Sequence, residues 1–265
     1  MNIHFTDNNL FQTLKANSLF SIQIGSHLYG LNTKDSDCDI LYIVADSVQM
    51  NHSFLWEHHQ LQYKENNCDH IFTSLKQFIR NLITGDSTIN FEVIHSQELA
   101  GSSLKFLYEN RLMFYNYQIT KSYLGLARRD IKQVDNNKNY TNLKKLSHAY
   151  RGLVTSYGIL NKNYSNDFIN YQNKFQEIKD LKFSNFNGDM VYLISYLHNE
   201  IDMARDQLNN LFNQHKINRI MSLENMAKLD QCLEEIQKSE EYLSRANYSI
   251  DKKLYYNVLE NGLKY

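Results

Sequence analysis

The sequence predicts an α/β domain with a mixed sheet over residues 1–115, followed by an α-helical domain over residues 116–265. Two observations lead to this prediction. In the first part, short apolar and β-branched runs alternate with stretches of helical periodicity, as in a sheet with helices packed against it. In the second part, apolar residues recur at helical spacing with few interruptions.

The elements follow from local patterns. Asp7 is placed to cap a first helix that ends near Ala16. Residues 38–44 read CDILYIV, a near-continuous apolar run that is typical of a buried central strand. Further strands are predicted at residues 19–24, 59–63, 68–72 and 91–94. Further helices are predicted at residues 74–84, 102–110, 118–133, 142–160, 191–212 and 223–243.

The composition limits the class of protein. Hydrophobic residues make up 42% of the 265 residues and charged residues 22%, as in an ordinary globular protein. The net charge of −1 argues against a protein that grips nucleic acid with its whole surface, although local basic patches are compatible with it. No apolar run approaches the roughly 20 residues that cross a bilayer, and the first ten residues lack the pattern of a signal peptide. We therefore expect a cytoplasmic protein without membrane contact.

The three cysteines, Cys38, Cys68 and Cys232, lie far apart in the sequence and form no C-x-x-C pair. This spacing predicts neither a disulfide framework nor a thiolate zinc site, and it fits a reducing cytosol. The histidines His58, His59 and His70 lack the spacing of metal ligands on a helix, and they are expected to be surface or strand residues.

The most informative stretch is SIQIGSHLYGLNTKDSDCDILYIV, residues 21–44. It begins with a strand that stops at Gly25-Ser26, where a short helix is expected to open. A Gly-Ser turn at a helix start offers free backbone N–H groups and the positive end of the helix, which together suit a phosphate. Because Gly-Ser turns are common, this feature alone is a weak indication.

The pair Asp37 and Asp39 at the start of the next strand is more specific. Side chains on a strand alternate between faces, so the two carboxylates project together while Cys38 points the other way. Neighbouring carboxylates repel each other unless a cation lies between them, and Mg²⁺ favours such oxygen ligands. An isolated D-x-D is more often a solvated turn. Its position at the mouth of a buried strand, shortly after Gly-Ser, favours a metal site.

This stretch resembles the signature of the DNA polymerase beta-like nucleotidyltransferase superfamily, in which an apolar residue and Gly-Ser are followed, about ten residues later, by Asp, apolar, Asp, apolar. Here the two parts read IGS from Ile24 and DCDI from Asp37. The longer run GSHLYGLNTKDSDCDI, with Tyr29 and Ser36, is similar to the RNA-repair-pathway polymerase-beta-like branch.

The resemblance implies an enzyme that transfers a nucleoside monophosphate from an NTP to a hydroxyl and releases pyrophosphate. It implies two Mg²⁺ ions, with Mn²⁺ as the other candidate, held by Asp37, Asp39 and a third carboxylate on a neighbouring strand that accepts the proton of the acceptor hydroxyl. Asp69 is the candidate for that carboxylate, and Glu65 replaces it if the register differs.

The resemblance further assigns nucleotide binding to Gly25, Ser26, Tyr29 and Ser36. Glu92, on the predicted strand 91–94, either faces the cleft or is a surface glutamate.

Lys144, His148 and Arg151 occupy one face of a predicted helix. A solvated basic face is the ordinary interpretation of such an amphipathic helix. The resemblance adds a second interpretation, in which this helical domain forms the other wall of the cleft and these residues bind the triphosphate or the acceptor. Further basic residues on the preceding helix extend the same surface: Lys121, Arg128 and Arg129.

The acceptor is the least determined part of the prediction. The branch that the chain resembles favours an RNA end, with tRNA as a candidate, and the charge of −1 makes that preference narrow. Small-molecule and protein acceptors use the same core. A non-catalytic nucleotide sensor is a further alternative, but a pair of retained carboxylates argues for catalysis.

Overall fold

The computed structural model describes residues 2–28, 32, 34, 36–46, 60–136, 143–161 and 190–247. Within them one mixed sheet of five strands has the order β1-β4-β5-β3-β2. The strands β1 and β4 are parallel, as are β3 and β5, whereas β4–β5 and β2–β3 are antiparallel. The strands are β1 Asn2–Phe5, β2 Ser18–Gln23, β3 Cys38–Val44, β4 Gln60–Glu65 and β5 Cys68–Ser74.

The described residues form ten α-helices. In the first half they are α1 Asn8–Ala16, α2 Leu75–Thr84, α3 Thr88–Val93, α4 Gln97–Ala100 and α5 Lys105–Glu109, with a 3₁₀ turn at Arg111–Phe114. In the second half they are α6 Tyr117–Asn136, α7 Leu143–Leu160, α8 Met190–Asn213, α9 Leu223–Gln237 and α10 Glu240–Ala246. The predicted fold class, a mixed sheet with helices followed by a helical region, is confirmed. None of these helices combines the length and the apolar character needed to span a membrane.

Two of the predictions for these regions were wrong, and one strand was missed. The predicted strand at residues 91–94 belongs to α3, which begins where the Ser87 hydroxyl accepts a hydrogen bond from Asn90 N–H at 3.2 Å. The single helix predicted over residues 223–243 is two helices, because Ser239 caps α10 through Tyr242 N–H at 3.2 Å. The strand β1 was not predicted, since its four residues are too few to show a period.

The described chain forms two compact units. The first draws on three segments, Met1–Ile83, Glu92–Arg111 and Leu223–Tyr265, and the second on two, Thr84–Phe91 and Leu112–Ser222. The second unit packs α6, α7 and α8 around a common apolar core. Helices α6 and α7 approach closely at Gly152, where an added Cβ would lie 3.0 Å from the carbonyl oxygen of Tyr123.

In the first unit, α1 covers one face of the sheet through aromatic packing. Phe11 stacks on Tyr63 with ring centroids 4.3 Å apart and meets Phe72 edge-on at 5.9 Å. Tyr42 stacks on Phe72 at 4.7 Å. As predicted, Asp7 caps α1, accepting a hydrogen bond of 2.8 Å from Leu10 N–H. The other buried members of this core are Ile3, Phe5, Leu10, Leu14, Val44 and Leu61.

Helix α10, the last one among the described residues, is fastened to the far end of β3. Asp46, which follows β3 and is 5% exposed, accepts a hydrogen bond from the Tyr242 hydroxyl at 3.3 Å and from Lys76 N–H at 3.2 Å. Arg245 donates to the carbonyl oxygen of Ser18 at 2.7 Å. Burial raises the pKa of Asp46 to about 6, although hydrogen bonds from Ser74, Lys76 and Tyr242 and the charge of Lys76 oppose this.

This buried carboxyl makes the stability of the protein depend on pH. Because the pKa of Asp46 is higher in the folded state, its contribution to the free energy of unfolding is largest below about pH 4 and is lost as the pH rises through about 6. A shift of about two pKa units corresponds to about 3 kcal/mol. As the pH rises from 4 to 7, the free energy of unfolding of Asp46→Asn should increase relative to that of the wild type by up to this amount. Urea unfolding measures both. The exposed Asp202→Asn should gain nothing, and a parallel pH dependence of Asp46→Asn and wild type would contradict the assignment.

Candidate active site

The parallel register of β3 and β5 brings two of the predicted carboxylates together. It pairs Asp39 with Asp69, one residue after the start of each strand. Paired residues of adjacent strands point to the same face, and adjacent strands lie about 4.8 Å apart. Since Tyr42 packs on the side of α1, Asp39 and Asp69 lie on the opposite face of the sheet. Asp37 precedes β3 and is exposed.

The Gly-Ser turn lies against the first of these carboxylates. Ile24 N–H donates to the carbonyl oxygen of Asp39 at 2.9 Å, which fixes the end of β2 beside the start of β3. Gly25 follows with a φ of +68°, and a Cβ added there would lie 3.5 Å from Asp39 Oδ2. The backbone at Gly25 therefore approaches a carboxylate closely, in a conformation that favours glycine.

The turn differs from the short helix that was expected at this point. Residues Gly25 to Leu28 form a turn in which Leu28 N–H donates to the Gly25 carbonyl oxygen at 3.1 Å. Ser26 is half-buried in this turn, and Ser36 is half-buried just before β3. Tyr29, predicted to bind nucleotide, lies outside the described residues.

The register also separates the two candidates for the third carboxylate. Glu65 is paired with Cys68, and Lys64 is paired with Asp69. Glu65 therefore lies on the opposite face from Asp39, whereas Asp69 shares the face of Asp39. The Lys64 ammonium lies 4.0 Å from Asp69 Oδ1, but with 69% of the lysine side chain exposed this ion pair is weak.

The donor set suits a hard cation. Asp39 and Asp69 place two carboxylates side by side, and carboxylate oxygens are the ligands that Mg²⁺ favours. Among the described residues, no group of three or more His, Cys, Asp and Glu side chains is arranged to hold a metal ion. The fit therefore rests on this pair of carboxylates, with the exposed Asp37 two residues before Asp39 in the sequence.

A disulfide lies behind the carboxylate pair. Cys38 and Cys68 are register partners with their Cα atoms 4.5 Å apart, and their sulfurs are bonded. The prediction from cysteine spacing was therefore wrong for this pair. The two residues are 30 positions apart, and only the parallel pairing of β3 and β5 brings them together.

His70 is a core histidine. It lies on β5 beside Phe11, with ring centroids 4.9 Å apart, and its Nδ1 is 3.1 Å from the Tyr42 hydroxyl. Burial lowers the pKa of His70. His70 therefore belongs to the aromatic core, as expected for a strand histidine. His58 and His59 lie outside the described residues.

Three basic residues of the second unit lie around a carboxylate that the sequence analysis did not single out. Asp130 on α6 is buried, and its oxygens lie 3.2 Å from Arg129 Nη2, 3.6 Å from Lys145 Nζ and 3.9 Å from His148 Nδ1. In the run LARRDI, residues 126–131, Asp130 lies next to the apolar Ile131, and a charged residue at such a position could have indicated a buried, paired carboxylate. This buried carboxylate offsets part of the positive charge on α6 and α7.

The remaining predicted residues are placed as follows. Arg151 is half-buried on α7, and the side chain of Lys144 lies outside the description. Glu92, predicted on a strand, is buried on α3. Lys144, His148 and Arg151 belong to the second unit, whereas Gly25, Asp39 and Asp69 belong to the first.

The first unit thus sets a glycine turn against one of two paired carboxylates of a mixed sheet. Residues 8–183 match the model of the RNA repair pathway DNA polymerase beta family, and the chain belongs to that family. Family membership implies a nucleotidyltransferase with an NTP substrate. No curated protein and no solved structure matches the chain.

The backbone at Gly25 gives a direct test of the turn. Gly25→Ala should lower the free energy of unfolding by about 1–2 kcal/mol, because an L side chain is disfavoured at positive φ. Gly125→Ala, on α6 where an added Cβ meets no atom within 4 Å, should instead raise it by up to about 1 kcal/mol. Urea unfolding measures both. Equal effects at the two glycines would show that Gly25 does not adopt this conformation.

Proposed function

We propose that this protein transfers a nucleoside monophosphate from an NTP to a hydroxyl group, with an RNA end as the acceptor, and releases pyrophosphate. The observation that carries the proposal is the position of Asp39, beside Asp69 across the strand pair and against the backbone of Gly25. Membership of an RNA repair family supports the class of reaction and favours the RNA acceptor.

The predicted site residues of the first unit bind the nucleotide or take part in proton transfer in this proposal. The backbone at Gly25 and the hydroxyl of Ser26 bind the outgoing phosphates, and Tyr29 and Ser36 contribute to the nucleotide site. Asp69 accepts the proton that leaves the acceptor hydroxyl, since it lies beside Asp39 and carries a carboxylate.

The carboxylates also define the proposed metal site. We assign Asp37, Asp39 and Asp69 as ligands of two Mg²⁺ ions, or of Mn²⁺. Divalent cations, when bound, neutralise the charge of the phosphates and of the reacting oxygens. Asp39 and Asp69 supply neighbouring oxygens for this purpose, because the parallel register holds them on one face.

The role of the helical region extends the proposal. Residues 1–115 carry the catalytic residues, and residues 116–265 contribute Lys144, His148 and Arg151 to binding of the triphosphate or the acceptor. The resemblance to the family supports these three assignments. Asp130, which pairs with Arg129 and lies near His148, sets the charge of this surface.

The same buried carboxylate favours a second candidate function, a small-molecule or protein acceptor. Asp130 offsets positive charge on α6 and α7, where an extended RNA footprint needs an excess of cations. The net charge of −1 points the same way. A non-catalytic nucleotide sensor is disfavoured, because Asp39 and Asp69 are both present and adjacent.

Carboxylate substitutions test the catalytic assignment. Asp39→Asn and Asp69→Asn should each lower the rate of nucleotide transfer by about 100-fold or more, because changes to residues that merely support metal ligands already cost about 10–100-fold. Each should also slightly raise the metal-free melting temperature, because it removes repulsion between carboxylates. The measurement is incorporation from labelled NTPs into tRNA and small acceptors with Mg²⁺.

Glu65→Gln is the matched control. Glu65 lies at the same end of the sheet but on the opposite face, so its amide variant should retain near wild-type transfer. Near-normal activity of Asp39→Asn would contradict the proposed site. Loss of activity in Glu65→Gln together with retention in Asp69→Asn would assign the third carboxylate to Glu65.

The salt dependence of binding separates an RNA acceptor from a small one. If Arg128 and Arg129 contact RNA phosphates, Arg128→Ala/Arg129→Ala should flatten the log–log salt slope of tRNA binding by roughly 0.7–0.9 per contact. Arg205→Ala, which removes an arginine that lies 3.6 Å from Asp202 on α8, should leave the slope unchanged. Fluorescence anisotropy with metal-free protein measures the slope. Binding that is insensitive to salt or to the double substitution would favour a small-molecule or protein acceptor.

A further inference from the structure

The disulfide joins the two strands at the end where the candidate ligands lie. Cys38 and Cys68 are the first residues of β3 and β5, and each precedes a carboxylate of the pair, Asp39 or Asp69, by one residue. Cys38 also lies between Asp37 and Asp39 in the sequence. The bond therefore fixes the spacing of the strands directly beside the carboxylates.

The starts of the two strands are held to different degrees. The start of β5 is fastened to β4 by a tight turn at Asn66 and Asn67, which have φ values of 48° and 63°. On the side away from β5, the start of β3 is held by the hydrogen bond that Ile24 N–H donates to the carbonyl oxygen of Asp39. Terminal residues of a ladder open more easily than central ones. Without the disulfide, the start of β3 is therefore the less restrained of the two.

Thiol chemistry can reach this bond. Cys38 and Cys68 are both half-buried at the end of the sheet, and Cys38 Sγ lies 3.9 Å from the exposed side chain of Gln23. A dithiol thiolate attacks one sulfur to form a mixed disulfide and releases the other as a protein thiolate, which takes a proton. The second thiol of the reductant then closes its own disulfide and frees the remaining protein thiol. In the reverse direction, a small disulfide accepts the two electrons and two protons.

We propose that Cys38 and Cys68 form a reversible redox modification site that controls cation binding by Asp39 and Asp69. The reagents are a cellular dithiol and a small disulfide oxidant. The oxidised form holds the two carboxylates side by side, and the reduced form loosens the start of β3 and weakens the cation site. The inference rests on the proposed function for the identity of the cation site.

The test compares two preparations of the wild-type protein, one oxidised with oxidised glutathione and one reduced with dithiothreitol. The reagent is removed from each preparation before measurement. Alkylation and mass spectrometry should show Cys38 and Cys68 protected after oxidation and alkylated after reduction. Reduction should weaken Mn²⁺ binding, measured by calorimetry, by about tenfold or more, and reoxidation should restore it. The melting temperature should fall by about 5–10 °C on reduction.

Two serine variants separate this site from general thiol effects. Cys68→Ser should bind Mn²⁺ like the reduced wild type under both treatments. Cys232→Ser, which changes the free cysteine on α9, should keep the full redox response. The wild-type comparison needs no substitution, so the test holds even if Cys68→Ser folds poorly.

Three results would overturn the inference: alkylation of both cysteines after oxidation, equal Mn²⁺ binding in the two states, or no Mn²⁺ binding in either state. Nucleotide transfer is assayed on the same preparations. A redox-dependent Mn²⁺ site without any transfer would contradict the proposed function while supporting the redox site. Nucleotide transfer at equal rates in both states, with equal Mn²⁺ binding, would support the proposed function and contradict the redox site.

Discussion

The pairing of β3 with β5 is the constraint on which the rest of this structure depends. Both strands are buried in the middle of the sheet, and apolar residues on the two faces of β3, Leu41 and Ile43 on one and Tyr42 on the other, fix its register. A slip of one residue would move every side chain to the wrong face. Packing several residues away from the carboxylates thus determines that Asp39 meets Asp69.

The part of the candidate site that lies within one short run of the chain could be predicted from the sequence. The part that depends on strand pairing could not. The run from Gly25 to Asp39 was sufficient to indicate the class of protein, because its residues lie close together in the chain. Only the register shows that Asp69 shares the face of Asp39 and that Glu65 does not. The Cys38–Cys68 bond was missed for the same reason, since it joins positions that only a parallel pair of strands makes neighbours.

Secondary structure was predictable where periodicity was long and ambiguous where runs were short. Residues 38–44 and the helices α6 to α8 were recognised from extended patterns. The segment around Phe91 was assigned to a strand, but a short apolar run fits a buried helix equally well. The hydrogen bond from Asn90 N–H to the Ser87 hydroxyl favours the helix at this point. Asp130 shows a related limit, since a charge pattern on a helix does not reveal which charge is buried.

The three-part composition of the first unit has a consequence for how the protein is made. Tyr242 and Asp46 are 196 residues apart in the chain, and their hydrogen bond joins the beginning of the unit to its last segment. During synthesis, α10 can therefore dock beside the end of β3 only after almost the whole chain has been made. Contacts of such long sequence separation slow folding. In a fragment that ends before residue 223, the Asp46 carboxylate would lack its tyrosine partner, although the five described strands all precede that residue.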